Sequence, residues 1–126
     1  MSTHRPLVVV DSITQALGGA QGAVIVCGSH GGINSGRFAL LASPCAVVFN
    51  DAGGGLDAAG IAALGLLQDA AIAACTVAHT SARIGDAHST LQMGRLTHCN
   101  AAAAALGAHA GMTCREWIEH LAALEA

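Results

Sequence analysis

The sequence predicts an α/β fold: a three-layer α/β/α arrangement around a mostly parallel sheet of about four core strands, with Rossmann-like or flavodoxin-like topology. Two observations support this class. Four short apolar runs, typical of strands buried on both faces, alternate with segments of helical periodicity. Glycine, proline or polar turn residues separate the two kinds of segment. Strands alternating with helices in this way indicate parallel β–α–β units.

Each predicted strand is a run of small or branched apolar residues that ends at turn-forming or polar residues. The strands cover, in order, residues 7–10, 23–27, 46–49 and 73–78. Pro6 and Pro44 stand close before the first and third runs, and prolines there are compatible with the start of a strand. Continuous apolar character, rather than alternation, favours burial on both faces.

Predicted helices follow the strands, and capping residues mark where several of them begin. They cover residues 12–17, 35–41, 57–68, a short turn from Ser89, 97–106, and the segment from Thr113 onward. Ser12 with Gln15, and Thr113 with Glu116, have the spacing of a capping box. Asp57 suits an N-cap, and we favour that role over a role in a site.

Length and composition set limits on the protein. With 126 residues, a single domain over residues 1–126 is expected. Hydrophobic residues make up 53% of the chain and aromatic residues only 2%, so Ala, Val, Leu and Ile must fill the core. All five basic residues are arginine, which excludes Schiff-base chemistry and a phosphate-loop lysine.

Charge and hydropathy predict which partners the protein has. A net charge of -3 without a basic cluster argues against nucleic acid. No apolar run reaches the roughly 18 residues that cross a bilayer, and residues 1–6 lack the apolar stretch of a signal peptide. We therefore expect no membrane partner and a cytoplasmic location. The five cysteines lack paired short spacings, which indicates free thiols in a reducing compartment.

Polar residues collect where the predicted strands end. Residues 28–32, 50–57 and 79–90 follow the second, third and fourth strands. Right-handed crossovers bring these ends to one edge of the sheet, outside which ligands bind in such folds. The N-terminal ends of the strands offer no comparable residues. This asymmetry predicts a small-molecule site.

The residues at this edge suit acid–base chemistry. His30 and His79 are predicted as an acid–base pair, because histidine titrates near neutral pH. Asp51 or Asp86 is predicted to orient one of the rings. Arg83 is predicted to bind a carboxylate or phosphate of the substrate, and the alternative is an ion pair with Asp86. Further substrate-binding residues are predicted at Ser29, Gly31, Gly32, Asn50, Ser81 and His88.

The glycine-rich turn at residues 28–32 favours an anion, because a strand–turn–helix layout points backbone N–H groups at it. An anion is therefore expected between Arg83 and this turn. The structural alternative is a tight turn that needs glycine for its backbone conformation. That alternative explains the glycines but not the histidine among them.

Two other chemistries stay open at this stage. No cofactor is expected, and the alternative is a divalent metal such as Zn or Mn held by His30, His79, Asp86 and His88. Neither His-Glu-x-x-His nor Cys-x-x-Cys supports that set. Cys27 is the best thiol candidate for a nucleophile, and its alternative is a buried structural cysteine.

The leading functional prediction is a small enzyme that acts on a polar, anionic small molecule by hydrolase-type or lyase-type proton transfer. The alternative is a small-molecule binding or regulatory module, including a subunit of a larger complex. A third interpretation makes the loop residues a network that only closes the sheet edge. A homo-oligomer is expected, since so short a chain has little room to enclose a substrate.

Overall fold

A five-stranded sheet forms the centre of the protein in a computed structural model that describes residues 6–54 and 56–124. The strands are β1 (Leu7–Val10), β2 (Val24–His30), β3 (Ala46–Asn50), β4 (Ala73–Val77) and β5 (Leu96–Cys99). Strands β1 to β4 are parallel, and β5 pairs with β4 in the antiparallel direction. The α/β fold and the mostly parallel sheet are thus confirmed, and β5 adds a strand to the four predicted.

The strands follow one another across the sheet in chain order, β1-β2-β3-β4-β5. Rossmann-like and flavodoxin-like sheets instead reverse their strand order, and the reversal creates a ligand crevice. The order of the described strands has no such reversal, and a Rossmann-like or flavodoxin-like topology stays a prediction. Loops, rather than a reversal of strand order, must therefore shape any site at the carboxyl edge.

Five α-helices accompany the sheet in the part of the chain that the structure describes. They are α1 (Ile33–Ala42), α2 (Ala63–Asp69), α3 (Ala87–Met93), α4 (Ala101–Ala105) and α5 (Cys114–Leu124), with short 3-10 helices at Ile13–Ala16 and Leu56–Ile61. The described helices include none that is long and apolar enough to cross a membrane. The side chain of Asp57 lies outside the described residues, so its capping role stays a prediction.

The predicted helix over residues 97–106 is wrong in its first part. Residues 97–99 belong to β5, and α4 begins only at Ala101. Pairing with β4 overrides the helical preference of the alanine-rich run, and Asn100 then caps α4 by accepting from the Ala103 amide at 2.9 Å. Helix α3 also begins earlier than predicted, with Asp86 rather than Ser89 as its N-cap.

Each face of the sheet carries a buried apolar cluster. One cluster joins Ile25 and Phe49 to the side chains of α1 and α2. The other joins Val26 and Val48 to α5, where Trp117 is fully buried. Alternate residues of the central strands enter opposite clusters, which explains why these strands read as continuous apolar runs.

The segment between β4 and β5 crosses the carboxyl edge toward β1 and β2. The Gly85 amide donates to the Gly28 carbonyl at 2.7 Å, and the Ala87 amide donates to Asp11 Oδ1 at 2.9 Å. A Cβ atom at Gly28 would overlap the backbone of Gly85 and Asp86. Glycine is therefore required at position 28 by the close approach of this segment.

Candidate functional site

Asp51 accepts more side-chain hydrogen bonds than any other carboxylate among the described residues at this edge. Its Oδ1 accepts from the amides of Gly53 at 2.8 Å and His79 at 3.0 Å, and its Oδ2 accepts from Thr97 Oγ1 at 3.0 Å. The residue is only 7% exposed. Asp51 therefore ties the loops after β3 and β4 to strand β5.

The surroundings of Asp51 favour its charged form. Burial alone would raise the pKa of this carboxyl group. The amides of Gly53 and His79, the Thr97 hydroxyl and the nearby His79 ring outweigh burial, and they hold the pKa of Asp51 below its ordinary value. Asp51 is thus an acceptor-only carboxylate at neutral pH.

His79 lies beside this carboxylate and remains open to solvent. Its Nδ1 is 3.5 Å from Asp51 Oδ1, and its side chain is 55% exposed. This separation is longer than a well-formed hydrogen bond, as catalytic contacts often are before substrate binds. A Cβ atom at Gly53 would lie 3.4 Å from His79 Cε1, so the Gly53 turn borders the ring. Asp51 can orient the ring while much of the His79 side chain stays accessible to solvent.

A β-bulge explains how Thr97 reaches Asp51. Thr76 lies opposite His98 and Val77 lies opposite Leu96, so Thr97 is an extra residue in β5. Its hydroxyl also lies 3.0 Å from Thr76 Oγ1. This contact could not be predicted from the sequence, because the alanine-rich run after Thr97 favours a helix over residues 97–106. The sequence indicates strand β5 only through the mixture of apolar and polar residues at positions 96–99, shortly before the alanine-rich run.

His30 occupies the same edge but makes different contacts. Strand β2 has extra residues between Val26 and His30, and this irregularity places His30 opposite Asn50. The Gly32 amide donates to His30 Nδ1 at 3.0 Å. A neutral His30 ring must therefore carry its proton on Nε2, which makes that nitrogen a donor. The described hydrogen bonds and ion pairs join His79, not His30, to Asp51.

An open cleft of about 330 Å³ borders His30. It is lined by His30, Gly32, Ile33, Asn34, Ala52, Ala59 and Gly60. Ala52 belongs to the turn that also contains Gly53, and Gly53 borders the His79 ring. The cleft and the Asp51–His79 pair are therefore neighbours on either side of one turn.

A second cleft, of about 400 Å³, lies at the opposite edge of the sheet. Gly18, Gly19, Ala20, Gln21, Leu41 and Ala42 line it. None of these lining residues is ionisable, so the predicted asymmetry of reactive side chains still favours the carboxyl edge.

Three amides of the glycine-rich turn are engaged within the protein, and an anion between Arg83 and this turn stays a prediction. The amides of Gly28, Gly31 and Gly32 donate to Asp11 O, Asn50 O and His30 Nδ1 at 3.0, 2.9 and 3.0 Å. The neighbouring strand ends supply acceptors that the sequence does not reveal. These three N–H groups hold the turn closed.

Arg83 is exposed, and its guanidinium has no hydrogen-bond or ion-pair partner within residues 6–54 and 56–124. The hydrogen bonds of Arg83 involve its backbone: the amide donates to Ser89 Oγ at 2.8 Å, and the carbonyl accepts from the Asp86 amide at 3.2 Å. The alternative ion pair with Asp86 is not formed. Arg83 is available to a ligand, and its role in binding an anion stays a prediction.

Three predicted substrate-binding residues hold loops in place. Ser29 Oγ accepts from the Ile13 amide at 2.9 Å. Asn50 is fully buried and donates to the Ala82 carbonyl at 3.0 Å. Ser81 Oγ donates to the Ala78 carbonyl at 2.7 Å and accepts from the Arg95 amide at 3.0 Å. Their described hydrogen bonds support structural roles.

The alternative metal set is not assembled. Over the ranges that the structure describes, no group of three or more His, Cys, Asp and Glu side chains is placed to hold a metal ion. Asp86 instead caps α3 by accepting from the Ser89 amide at 3.0 Å, and His88 is exposed on that helix. Asp86 pairs with neither His30 nor His79 through any described hydrogen bond.

Cys27 is a structural residue rather than a reactive thiol. It is fully buried, and its Sγ donates to the Val48 carbonyl at 3.3 Å. Burial raises the pKa of Cys27 to about 12, so the thiolate needed for nucleophilic attack is not formed at neutral pH.

Replacing Asp51 with Asn is expected to flatten the acid dependence of stability. The folded pKa lies below the unfolded value of about 3.9, so the carboxylate stabilises the fold above that value. This stabilisation is lost as the pH falls through the folded pKa. In urea unfolding, the wild type should have a larger free energy of unfolding than Asp51→Asn above about pH 5, and the gap should shrink below about pH 4.

Asp69→Asn provides a matched control, because Asp69 is exposed at the end of α2. Its stability should follow that of the wild type across the same pH range. A gap between wild type and Asp51→Asn that stays the same at every pH would contradict the role assigned to the Asp51 charge.

Comparisons with protein-family models, curated proteins and solved structures find no match to this chain. The function is therefore inferred from the carboxyl edge itself, where a buried carboxylate meets a half-exposed histidine beside an open cleft.

Proposed function

We propose that the protein is an enzyme that uses His79, oriented by Asp51, for acid–base chemistry of hydrolase or lyase type on a polar small molecule. The observation that carries this proposal is the Asp51–His79 pair: a triply hydrogen-bonded carboxylate 3.5 Å from a ring that is 55% exposed. A histidine that exchanges protons needs both an orienting partner and access to substrate. His79 has both.

The two nitrogens of His79 would then have separate tasks. With the Nδ1 proton directed at Asp51, the lone pair of Nε2 faces away from the carboxylate and accepts a proton from water or from the substrate. The Asp51 charge stabilises the imidazolium that results. Nε2 returns this proton to the leaving group, so the cycle ends with the original protonation states.

His30 would complement this base. Because Gly32 occupies its Nδ1, neutral His30 presents an N–H donor from Nε2. Such a donor can stabilise negative charge that develops on a substrate oxygen. The neighbouring cleft, about 330 Å³, lies at the lower end of the range for small-molecule sites.

An anionic substrate fits the electrostatics of this edge. Ile33 and Asn34, the first residues of α1, line the cleft, and a helix N-terminus favours negative charge. Arg83 adds a cation that has no partner among the described residues. These features support the anionic class without the amides of Gly28, Gly31 and Gly32, which donate to acceptors within the protein.

A panel of substrates tests the proposal. Purified protein is incubated at neutral pH with phosphomonoesters, carboxylic esters, amides and β-hydroxy acids, and product release is followed. We expect turnover above the buffer rate for at least one class, and its loss in His79→Ala. His120→Ala is the control, since His120 is exposed on α5 outside the site. Turnover that survives unchanged in His79→Ala would refute the assignment.

The binding or regulatory alternative predicts a different result from the same panel. A ligand would raise the melting temperature of the wild type, yet no compound would be converted. The third interpretation, a network that only closes the edge, predicts neither binding nor turnover. These outcomes separate the three classes without knowledge of the natural substrate.

We also propose self-association and a cytoplasmic location. Phe38 and Leu41 of α1 are 37% and 73% exposed, and Ala101 and Ala104 of α4 are exposed small residues. None of the five cysteines is in a disulfide, in keeping with a reducing compartment. Light scattering at micromolar concentration should give a multiple of the chain mass, and a clean monomer would contradict self-association.

A further inference from the structure

Cys75 and Cys99 face each other across β4 and β5. The strand register pairs them directly. The Asn100 amide donates to the Ala74 carbonyl at 3.0 Å, and a bond between these flanking residues marks a non-hydrogen-bonded pair. In such pairs the Cα atoms lie about 4.5 Å apart, within the range of about 4.4–6.8 Å that disulfides require. The backbone can therefore accommodate a Cys75–Cys99 disulfide.

The two thiols share one face of the sheet. Cys75 is fully buried in the cluster that contains Trp117, and Cys99 packs against the same cluster while remaining partly exposed. The bulge at Thr97 permits this arrangement, because the extra residue shifts the alternation of β5 and brings Leu96 and Cys99 onto the same face. A soluble reagent can thus reach Cys99 before Cys75.

The surroundings of the two thiols favour the thiolate form at Cys99 over Cys75. A hydrogen bond from Cys75 lowers the pKa of Cys99, although partial burial opposes this effect. The same hydrogen bond, followed by burial, raises the pKa of Cys75. Because the thiolate is the nucleophile, Cys99 should react first with an oxidant.

We propose that Cys75 and Cys99 are a thiol–disulfide modification site, which closes when the protein meets a low-molecular-weight disulfide such as oxidised glutathione. The Cys99 thiolate attacks one sulfur of the reagent, which forms a mixed disulfide and releases one thiolate. Cys75 then loses its proton to solvent and attacks the Cys99 sulfur, which releases the second thiolate. Two electrons pass from the protein to the reagent, which leaves as two thiols.

The disulfide would hold β5, the outermost strand of the sheet and the one that carries Thr97, against β4. Cys99 is two residues from Thr97 in β5, and Thr97 donates to Asp51. A covalent link between β4 and β5 restricts the unfolded chain and prevents β5 from detaching. Closure of this disulfide requires only the two thiols and the reagent, and it is independent of the proposed enzyme activity.

The experiment treats the folded full-length protein with oxidised glutathione. Mass spectrometry should show the loss of two hydrogens and a peptide pair joined through Cys75 and Cys99. Reductant should reverse the change. The oxidised form should melt about 5–10 °C higher. Cys45→Ser is the control and should close the same disulfide.

Two variants separate the steps. Cys99→Ser should react at neither position, whereas Cys75→Ala should stop at a glutathione adduct on Cys99. Three results in the wild type would each overturn the proposal: no reaction, a stable Cys99 adduct without a protein disulfide, or a disulfide that joins Cys99 to Cys114 instead.

Discussion

Replacing His79 with Ala is expected to reduce turnover by about 10²–10⁴-fold, which is the usual contribution of a positioned acid–base residue. The loss should appear in kcat rather than in KM, since the ring transfers a proton during the chemical step. The fold should survive, because the His79 side chain is 55% exposed. The alanine variant also keeps the hydrogen bond from the backbone amide of residue 79 to Asp51. The measurement compares kcat and melting temperature for the reactive substrate class.

His120→Ala serves as the control for this variant and should keep both values near those of the wild type. Equal kcat in the wild type and in His79→Ala would remove His79 from the mechanism. A large fall in the melting temperature of His79→Ala, together with the loss of turnover, would instead indicate a structural role for the ring.

Alanine at position 100 is expected to lower the free energy of unfolding by about 3–5 kcal/mol, because one buried side chain serves four backbone groups. Asn100 Nδ2 donates to the carbonyls of Leu64 at 3.2 Å and Ile72 at 2.9 Å. Its Oδ1 accepts from the amides of Ala74 at 3.1 Å and Ala103 at 2.9 Å. Loss of this side chain leaves all four groups without these partners.

Urea unfolding measures this effect, and Asn34→Ala is the matched control. Asn34 is exposed, and its described side-chain bond is a long one to the Arg37 guanidinium at 3.5 Å. That control should change stability by less than about 0.5 kcal/mol. A similarly small change for Asn100→Ala would show that water replaces the four lost bonds.

The four parallel strands could be predicted because local composition determines them. Residues 46–49 and 73–77, for example, are buried on both faces, and burial of that kind requires the continuous apolar runs seen in the sequence. Asp51 and His79 were identified by the same logic, as polar residues that directly follow such runs. Their contact could be predicted because neighbouring parallel strands have their carboxyl ends at the same edge of the sheet.

The remaining site contacts depend on partners far away along the chain. Asp11 accepts from an amide 76 residues later, and Ser29 accepts from one 16 residues earlier. Nothing near either residue in the sequence separates such a structural bond from a role in binding. Strand β5 was missed for a related reason, since its four residues form a strand only by pairing with β4.

The position of the proton on the neutral His79 ring tests the Asp51–His79 arrangement most directly. In ¹⁵N NMR spectra of histidine-labelled protein at about pH 8.5, where histidine is neutral, we predict that His79 carries its proton on Nδ1. His30 should carry its proton on Nε2 in the same spectrum, because Gly32 donates to its Nδ1. A His79 ring protonated on Nε2 would contradict the account, since Asp51 would not be orienting it.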